Sequence, residues 1–228
     1  MKIKGLTNNQ LKFIAMISML IDHIGVILFP QIKLFRIIGR IAFPIFAYMI
    51  AEGCTYTRNK PKYLLSLSSF GVFCQVFFFL TTGSLYMNIL ITFTLSVICI
   101  FSIDFFIKNK NLLSGLILLS VALMLVVICV IIPDNFNFLG FEIDYGLLGV
   151  LIPVVVYLAR NKTEKIFCTV VLLLLMVFFF NNIQKYSLMS VPFLLLFNGE
   201  RGKMKLKYMF YIFYPTHLAV LFGINTLI

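Results

Sequence analysis

Apolar residues in this chain come in unbroken runs rather than in stripes. Polar and charged positions gather between the runs, as in TRNKPK (Thr57 to Lys62) and KNKN (Lys108 to Asn111). A helix that is apolar all round sits inside protein or lipid, and about 17–25 such residues cross a bilayer. Read this way, the pattern predicts nine spans, at about 11–29, 37–56, 63–82, 86–107, 111–132, 145–159, 166–181, 186–198 and 207–227. The sixth and eighth are short, which suits re-entrant segments or a locally thinned bilayer; eight or ten crossings fit the same runs. No matching halves and no long linker interrupt the series. The expected fold is an all-α, polytopic transmembrane helix bundle, one domain over residues 1–228.

Composition agrees with that pattern. The chain is 61% hydrophobic and 12% charged, against about 45–50% and about 25% in soluble domains. Trp is absent, so Tyr would form any interfacial aromatic belt. The first run is too long for a signal core and lacks a small-residue cleavage site; it reads as a retained helix. Five scattered cysteines with no Cys-x-x-Cys pair argue against a disulfide framework or a zinc site. No metal is expected.

Charge orients the spans. With nine crossings and a cytoplasmic N-terminus, fifteen of the nineteen Lys and Arg fall on the cytoplasmic side; Lys33, Arg36, Arg40 and Lys185 fall outside. Cytoplasmic loops carry the excess of Lys and Arg, so this orientation is predicted, in a bacterial cytoplasmic membrane. The formal net charge of +11 then follows from topology, and no nucleic-acid partner is implied.

The exceptions to apolarity carry the candidate chemistry. Asp22 and His23 interrupt MISMLIDHIGVIL in the first span. An ionised group at the midplane costs about 2.5–3.5 kcal/mol on insertion scales and usually faces a partner in the bundle. Neighbours on a helix point about 100° apart, so the two need different partners. Arg36 and Arg40 lie four apart on one face of the next span, ready to pair with Asp22, bind an acidic acceptor or neutralise an oxyanion. Pro44 cannot donate to the Arg40 carbonyl, which predicts a kink there. Glu52 closes the span near the cytoplasmic interface. An imidazole with an ordinary pKa of about 6.5 suits proton transfer, and His23 would face a reactive cavity. Lys12 precedes it by eleven positions, about 16 Å along the same helix face. A ligand with an anionic head and a long thin arm, such as acetyl-CoA, would span both. His217, the second of two histidines, falls in the last span. Just before that span, two glycines flank Glu200 and Arg201 in FNGERG, a loop able to approach phosphates through backbone amides. Buried Asp, His and Arg also make proton relays, so a proton-coupled transporter or flippase remains an alternative, as does a non-catalytic assembly subunit.

LKFIAMISMLIDHIG, RIIGRIAFPIFAYMIAEGCTYTRNKPKYL, DYGLLGVL, FNGERG and FYPTHL, in this order from Leu11 to Leu218, together resemble the TraX family of conjugal-transfer membrane proteins. The resemblance implies N-terminal acetylation of a pilin, and kinship with integral-membrane sugar O-acyltransferases and heparan-glucosaminide N-acetyltransferase. In the sugar O-acyltransferases the first span carries Arg, ten residues, then a catalytic His. Here Lys12, ten residues and His23 stand in that pattern; Lys keeps the charge and loses the bidentate fork. The expectation is an acetyl-CoA-dependent membrane acetyltransferase. His23 would be general base or acyl carrier and Asp22 its orienting group. Lys12, Arg58 and Arg201 would contact the donor's phosphates. Arg36, Arg40 and His217 would face substrate or oxyanion. The acceptor would be a peptide N-terminus or an extracytoplasmic glycan.

Overall fold

The computed structural model describes residues 5–136, 138–180, 182–202 and 207–227. Lys2, Lys4, Lys203 and Lys205, assigned above to the cytoplasmic side, lie outside the described residues. In chain order the elements are α1 (Asn8–Ile27), α2 (Lys33–Gly39), α3 (Ala42–Tyr56), α4 (Lys60–Thr82), β1 (Tyr86–Met87), α5 (Ile89–Asn109), α6 (Leu112–Val126), a π-helical turn Val127–Ile131, α7 (Ile132–Asn135), β2 (Glu142–Ile143), α8 (Gly146–Leu158), α9 (Lys162–Phe179), a 3-10 segment Asn182–Ser190, α10 (Val191–Leu196) and α11 (Lys207–Asn225).

Among the described residues, five helical stretches have the length and apolarity to cross a bilayer: α1, Lys33–Tyr56, α4, α5 and Leu112–Asn135. Gly146–Leu158 and Ile212–Asn225 are shorter apolar helices. Leu112–Asn135 is the most apolar of the five and the least buried, with Leu112, Leu119 and Leu123 each more than half exposed. Such a surface needs an apolar solvent. The protein is an all-α, multi-pass membrane protein.

The predicted second span is two helices rather than one. The break falls at Arg40 and Ile41, between α2 and α3, where Pro44 has no N–H to give the Arg40 carbonyl. The short eighth run is likewise divided, a 3-10 segment leading into the six residues of α10. Local signals set the ends of other helices. Thr7 and Gln10 form a capping box ahead of α1, with Thr7 N donating to Gln10 Oε1 at 2.8 Å, which satisfies first-turn donors. Asn59 Oδ1 accepts from Lys62 N at 2.9 Å and Pro61 occupies the first turn of α4, a favoured start.

The chain groups into two compact units: residues up to Met49 with those from Arg160 onward, and Ile50–Ala159. In the second unit α5 is the hub, packing on α4, α6 and α8. Hydroxyls on its buried face bond other segments: Ser96 Oγ donates to Val150 O at 2.8 Å and Thr92 Oγ1 to Asp144 O at 2.9 Å. In lipid, such bonds hold helices that hydrophobicity alone does not. β1 and β2 pair in parallel, Tyr86 opposite Glu142, which brings the turns after α4 and α7 to one end of this unit. At its other end Asp104 accepts from Lys60 Nζ and from Tyr157 Oη at 2.8 and 2.9 Å. In the first unit α1 packs on α2 and α11, while α9 packs on the 3-10 segment and α10.

Candidate functional site

The first unit gathers seven of the eight residues singled out from sequence: Lys12, Asp22, His23, Arg36, Arg40, Arg201 and His217. Arg58 belongs to the second unit, exposed in the turn ahead of α4.

Asp22 and His23 occupy the last two turns of α1, and the 100° step between neighbours sends them to different helices. Asp22 turns to α2. Its Oδ2 accepts from Arg36 Nη1 at 2.7 Å, and Arg40 Nη2 spans Oδ1 and Oδ2 at 2.9 and 3.0 Å. The Asp22 side chain is 14% exposed, that of Arg40 7% and that of Arg36 33%. One carboxylate between two guanidiniums leaves a net single positive charge, and both cations act electrostatically on His23.

Glycine makes this approach possible. A Cβ on Gly39 would fall 2.1 Å from Asp22 Oδ1, and one on Gly25 would fall 2.5 Å from Phe35 Cβ. Only a residue without a side chain lets α1 and α2 come this close.

His23 turns to α11. Its Nδ1 lies 2.6 Å from His217 Nε2, and the two rings stack with centroids 4.9 Å apart. His217 Nδ1 lies 2.7 Å from the Phe213 carbonyl oxygen one turn earlier. Phe213 stacks on His217 at 4.7 Å, and Tyr214 meets both imidazoles edge-on at 6.1 and 5.7 Å. His217 and Tyr214 are buried.

The other end of α1 meets the FNGERG loop. Leu6 N donates to Leu196 O at 2.7 Å, Asn198 N to Leu6 O at 2.9 Å and Asn8 N to Glu200 O at 2.8 Å. Gly202 seats against the side chain of Asn9. Lys12 is half-buried one turn into the helix, close enough to the exposed Arg201 for their charges to interact. Lys162 Nζ donates to the carbonyls of Leu195 and Phe197 at 2.6 and 2.7 Å, binding acceptors that the end of α10 leaves over.

Sequence reasoning gave no role to Asp104 or Tyr214, and placed Glu52 only at an interface. Asp104, with Lys60 and Tyr157, is a second charged cluster against apolar helices; an acid within the run 86–107 was the same signal that marked Asp22. Glu52, expected at an interface, is 5% exposed. Tyr214 frames the two histidines, and its aromatic character was indistinguishable from the Tyr and Phe around it.

The TraX protein family profile matches residues 7–225. The sequence is 28% identical to a probable fimbrial assembly protein FimC, serogroup H1, of Dichelobacter nodosus, over 93% of this chain and 93% of that one. A segment covering 31% of the chain is 40% identical to 27% of an uncharacterized protein of Rickettsia prowazekii (strain Madrid E). No solved structure matches.

Proposed function

Because the chain belongs to the TraX protein family, we propose that it is an integral-membrane acetyltransferase acting in the assembly of a pilin-like surface structure. The acetyl group comes from acetyl-CoA on the cytoplasmic side and goes to a peptide N-terminal amine, or to an extracytoplasmic glycan hydroxyl. The observation that carries the reading is the imidazole pair His23–His217 beside a net-positive Asp22–Arg36–Arg40 cluster, all borne on apolar helices. The fimbrial assembly name of the Dichelobacter nodosus relative favours a pilin-like acceptor.

In this reading the N-terminus is cytoplasmic and the nine predicted runs alternate across a bacterial cytoplasmic membrane. His23 takes a proton from the acceptor as its nitrogen or oxygen attacks the thioester carbonyl. The new C–N or C–O bond forms, the C–S bond breaks, and the thiolate leaves with the proton that His23 returns. Arg36 and Arg40 neutralise the oxygen of the tetrahedral intermediate, and Asp22 keeps both guanidiniums aimed. Lys12 and Arg201, where the FNGERG loop meets the start of α1, contact the donor's phosphates.

Protein purified in lipid nanodiscs, incubated with labelled acetyl-CoA and pilin-like peptides or glycans, tests this by mass spectrometry. Acetylated acceptor from the wild type and none from His23→Ala is the expected result. An undiminished acetyl mark with His23→Ala overturns the role of the imidazole. The short contact between the two imidazoles also suits a proton path; substrate movement without acetyl transfer would favour a proton-coupled transporter instead.

A further inference from the structure

We propose that His217 is a positioning residue: it fixes the tautomer of His23, so that Nε2 of His23 is the reacting atom. The chemical consequence rests on the acetyl transfer proposed above; the tautomer itself does not.

Three groups in line, the Phe213 carbonyl, His217 and His23, fix where the hydrogens lie. The Phe213 carbonyl oxygen can only accept, and it lies 2.7 Å from His217 Nδ1. His217 Nδ1 therefore carries hydrogen. In a neutral imidazole the other nitrogen is then bare, so His217 Nε2 presents a lone pair. At 2.6 Å from it, His23 Nδ1 must supply the hydrogen, since two bare nitrogens would repel and two N–H groups would collide. With both rings neutral, His23 is the Nδ1–H tautomer and its lone pair is on Nε2. The hydrogen bond made by one ring nitrogen decides the state of the other, and here that bond is anchored to main chain. Stacking of His217 on Phe213, at 4.7 Å and 20°, holds its ring in place.

The same chain of bonds handles the proton during reaction. When His23 Nε2 accepts the acceptor's proton, the hydrogen on Nδ1 can shift to His217 Nε2. His23 is then neutral as its Nε2–H tautomer, and the charge rests on His217, whose Nδ1–H still points at the Phe213 carbonyl. Release of the Nε2 proton to the leaving thiolate draws the shared hydrogen back to His23 Nδ1. Both nitrogens of His217 are engaged throughout, one with His23 and one with Phe213. Its place is behind His23 rather than on the substrate.

The chain holds two histidines, so ¹⁵N-histidine labelling of the whole protein in nanodiscs reports two rings. At a pH where both are neutral, each should show a protonated Nδ1 and a bare Nε2, with scalar coupling across the Nδ1–H···Nε2 bond. A His23 ring protonated on Nε2 overturns the proposal, with or without any activity. Two variants add the functional arm. His217→Gln keeps an acceptor oxygen near the position of Nε2 and should preserve the Nδ1–H form of His23. His217→Phe keeps a ring without an acceptor; His23 should lose the single tautomer and acetyl transfer should fall at least about tenfold at unchanged donor KM. Gln should recover most of that loss. Equal transfer by wild type and His217→Phe counts against the proposal. If no acetyl transfer exists in any form of the protein, the wild-type spectrum still decides the tautomer, and the two readings fail separately.

Discussion

Asp22 holds two guanidiniums at once, and its loss should cost the fold heavily. Its carboxylate accepts three short contacts, one from Arg36 at 2.7 Å and two from Arg40 at 2.9 and 3.0 Å. The partners are unequal. The Arg36 side chain is 33% exposed and that of Arg40 7%. Removing one end of a buried ion pair costs about 3–5 kcal/mol; Arg40 retains further contacts, Nε to the Arg36 carbonyl at 3.4 Å among them. A water-exposed pair is worth about 0.2–1 kcal/mol. Asp22→Ala should therefore lose about 3–5 kcal/mol, almost all through Arg40, and Arg36→Ala at most about 1 kcal/mol. At about 2–4 °C per kcal/mol for a chain of this size, the melting temperature should drop roughly 6–20 °C for Asp22→Ala and at most about 4 °C for Arg36→Ala. The double variant Asp22→Leu with Arg40→Met removes both ends of the buried pair and should recover much of the loss. Heating in detergent followed by size-exclusion chromatography reads all three. An Asp22→Ala protein melting within about 2 °C of wild type, or an Arg36→Ala protein as damaged as Asp22→Ala, would refute the reasoning.

Gly39→Ala pushes a methyl into Asp22 Oδ1 and should cost about 1–3 kcal/mol by overpacking; measured again on the Asp22→Ala background, most of that cost should vanish, since the two share one contact. Tyr157→Phe removes a phenol that donates to both oxygens of Asp104 and should lower stability by about 1.5–3 kcal/mol. Lys60→Met, whose side chain is 44% exposed, should cost less than Tyr157→Phe in the same thermal assay. Tyr86, in β1 and 37% exposed, has its phenol pushed above its ordinary value of 10 by partial desolvation first and then by the Asp144 carboxylate, to which its Oη donates at 2.8 Å. A raised folded-state value means its contribution is full below pH 10 and is lost as pH rises past it, when only the unfolded chain ionises. Melting curves at increasing alkaline pH should show wild type losing stability faster than Tyr86→Phe; parallel curves would sink this assignment.

Much of this protein can be read from the order of its residues. The apolar runs gave helices close to where they stand, because a chain in lipid must satisfy its backbone within each segment and so writes each crossing as one local stretch. Asp22, His23, Arg36 and Arg40 announced themselves as charges in oil, and the 100° step alone separated the acid from the imidazole. Pro44 marked the break at Arg40 for an equally local reason. What the sequence left open lies between segments. His217 stands 194 positions beyond His23, and no local rule says which nitrogen of either ring faces the other. The choice of α11 as the partner of α1, the seating of Gly39 on Asp22 and the convergence of Lys60, Asp104 and Tyr157 belong to packing. Hydrophobic runs are alike to lipid and to each other. They determine that helices form and insert, while small residues and buried polar contacts, visible only in three dimensions, determine which helices touch.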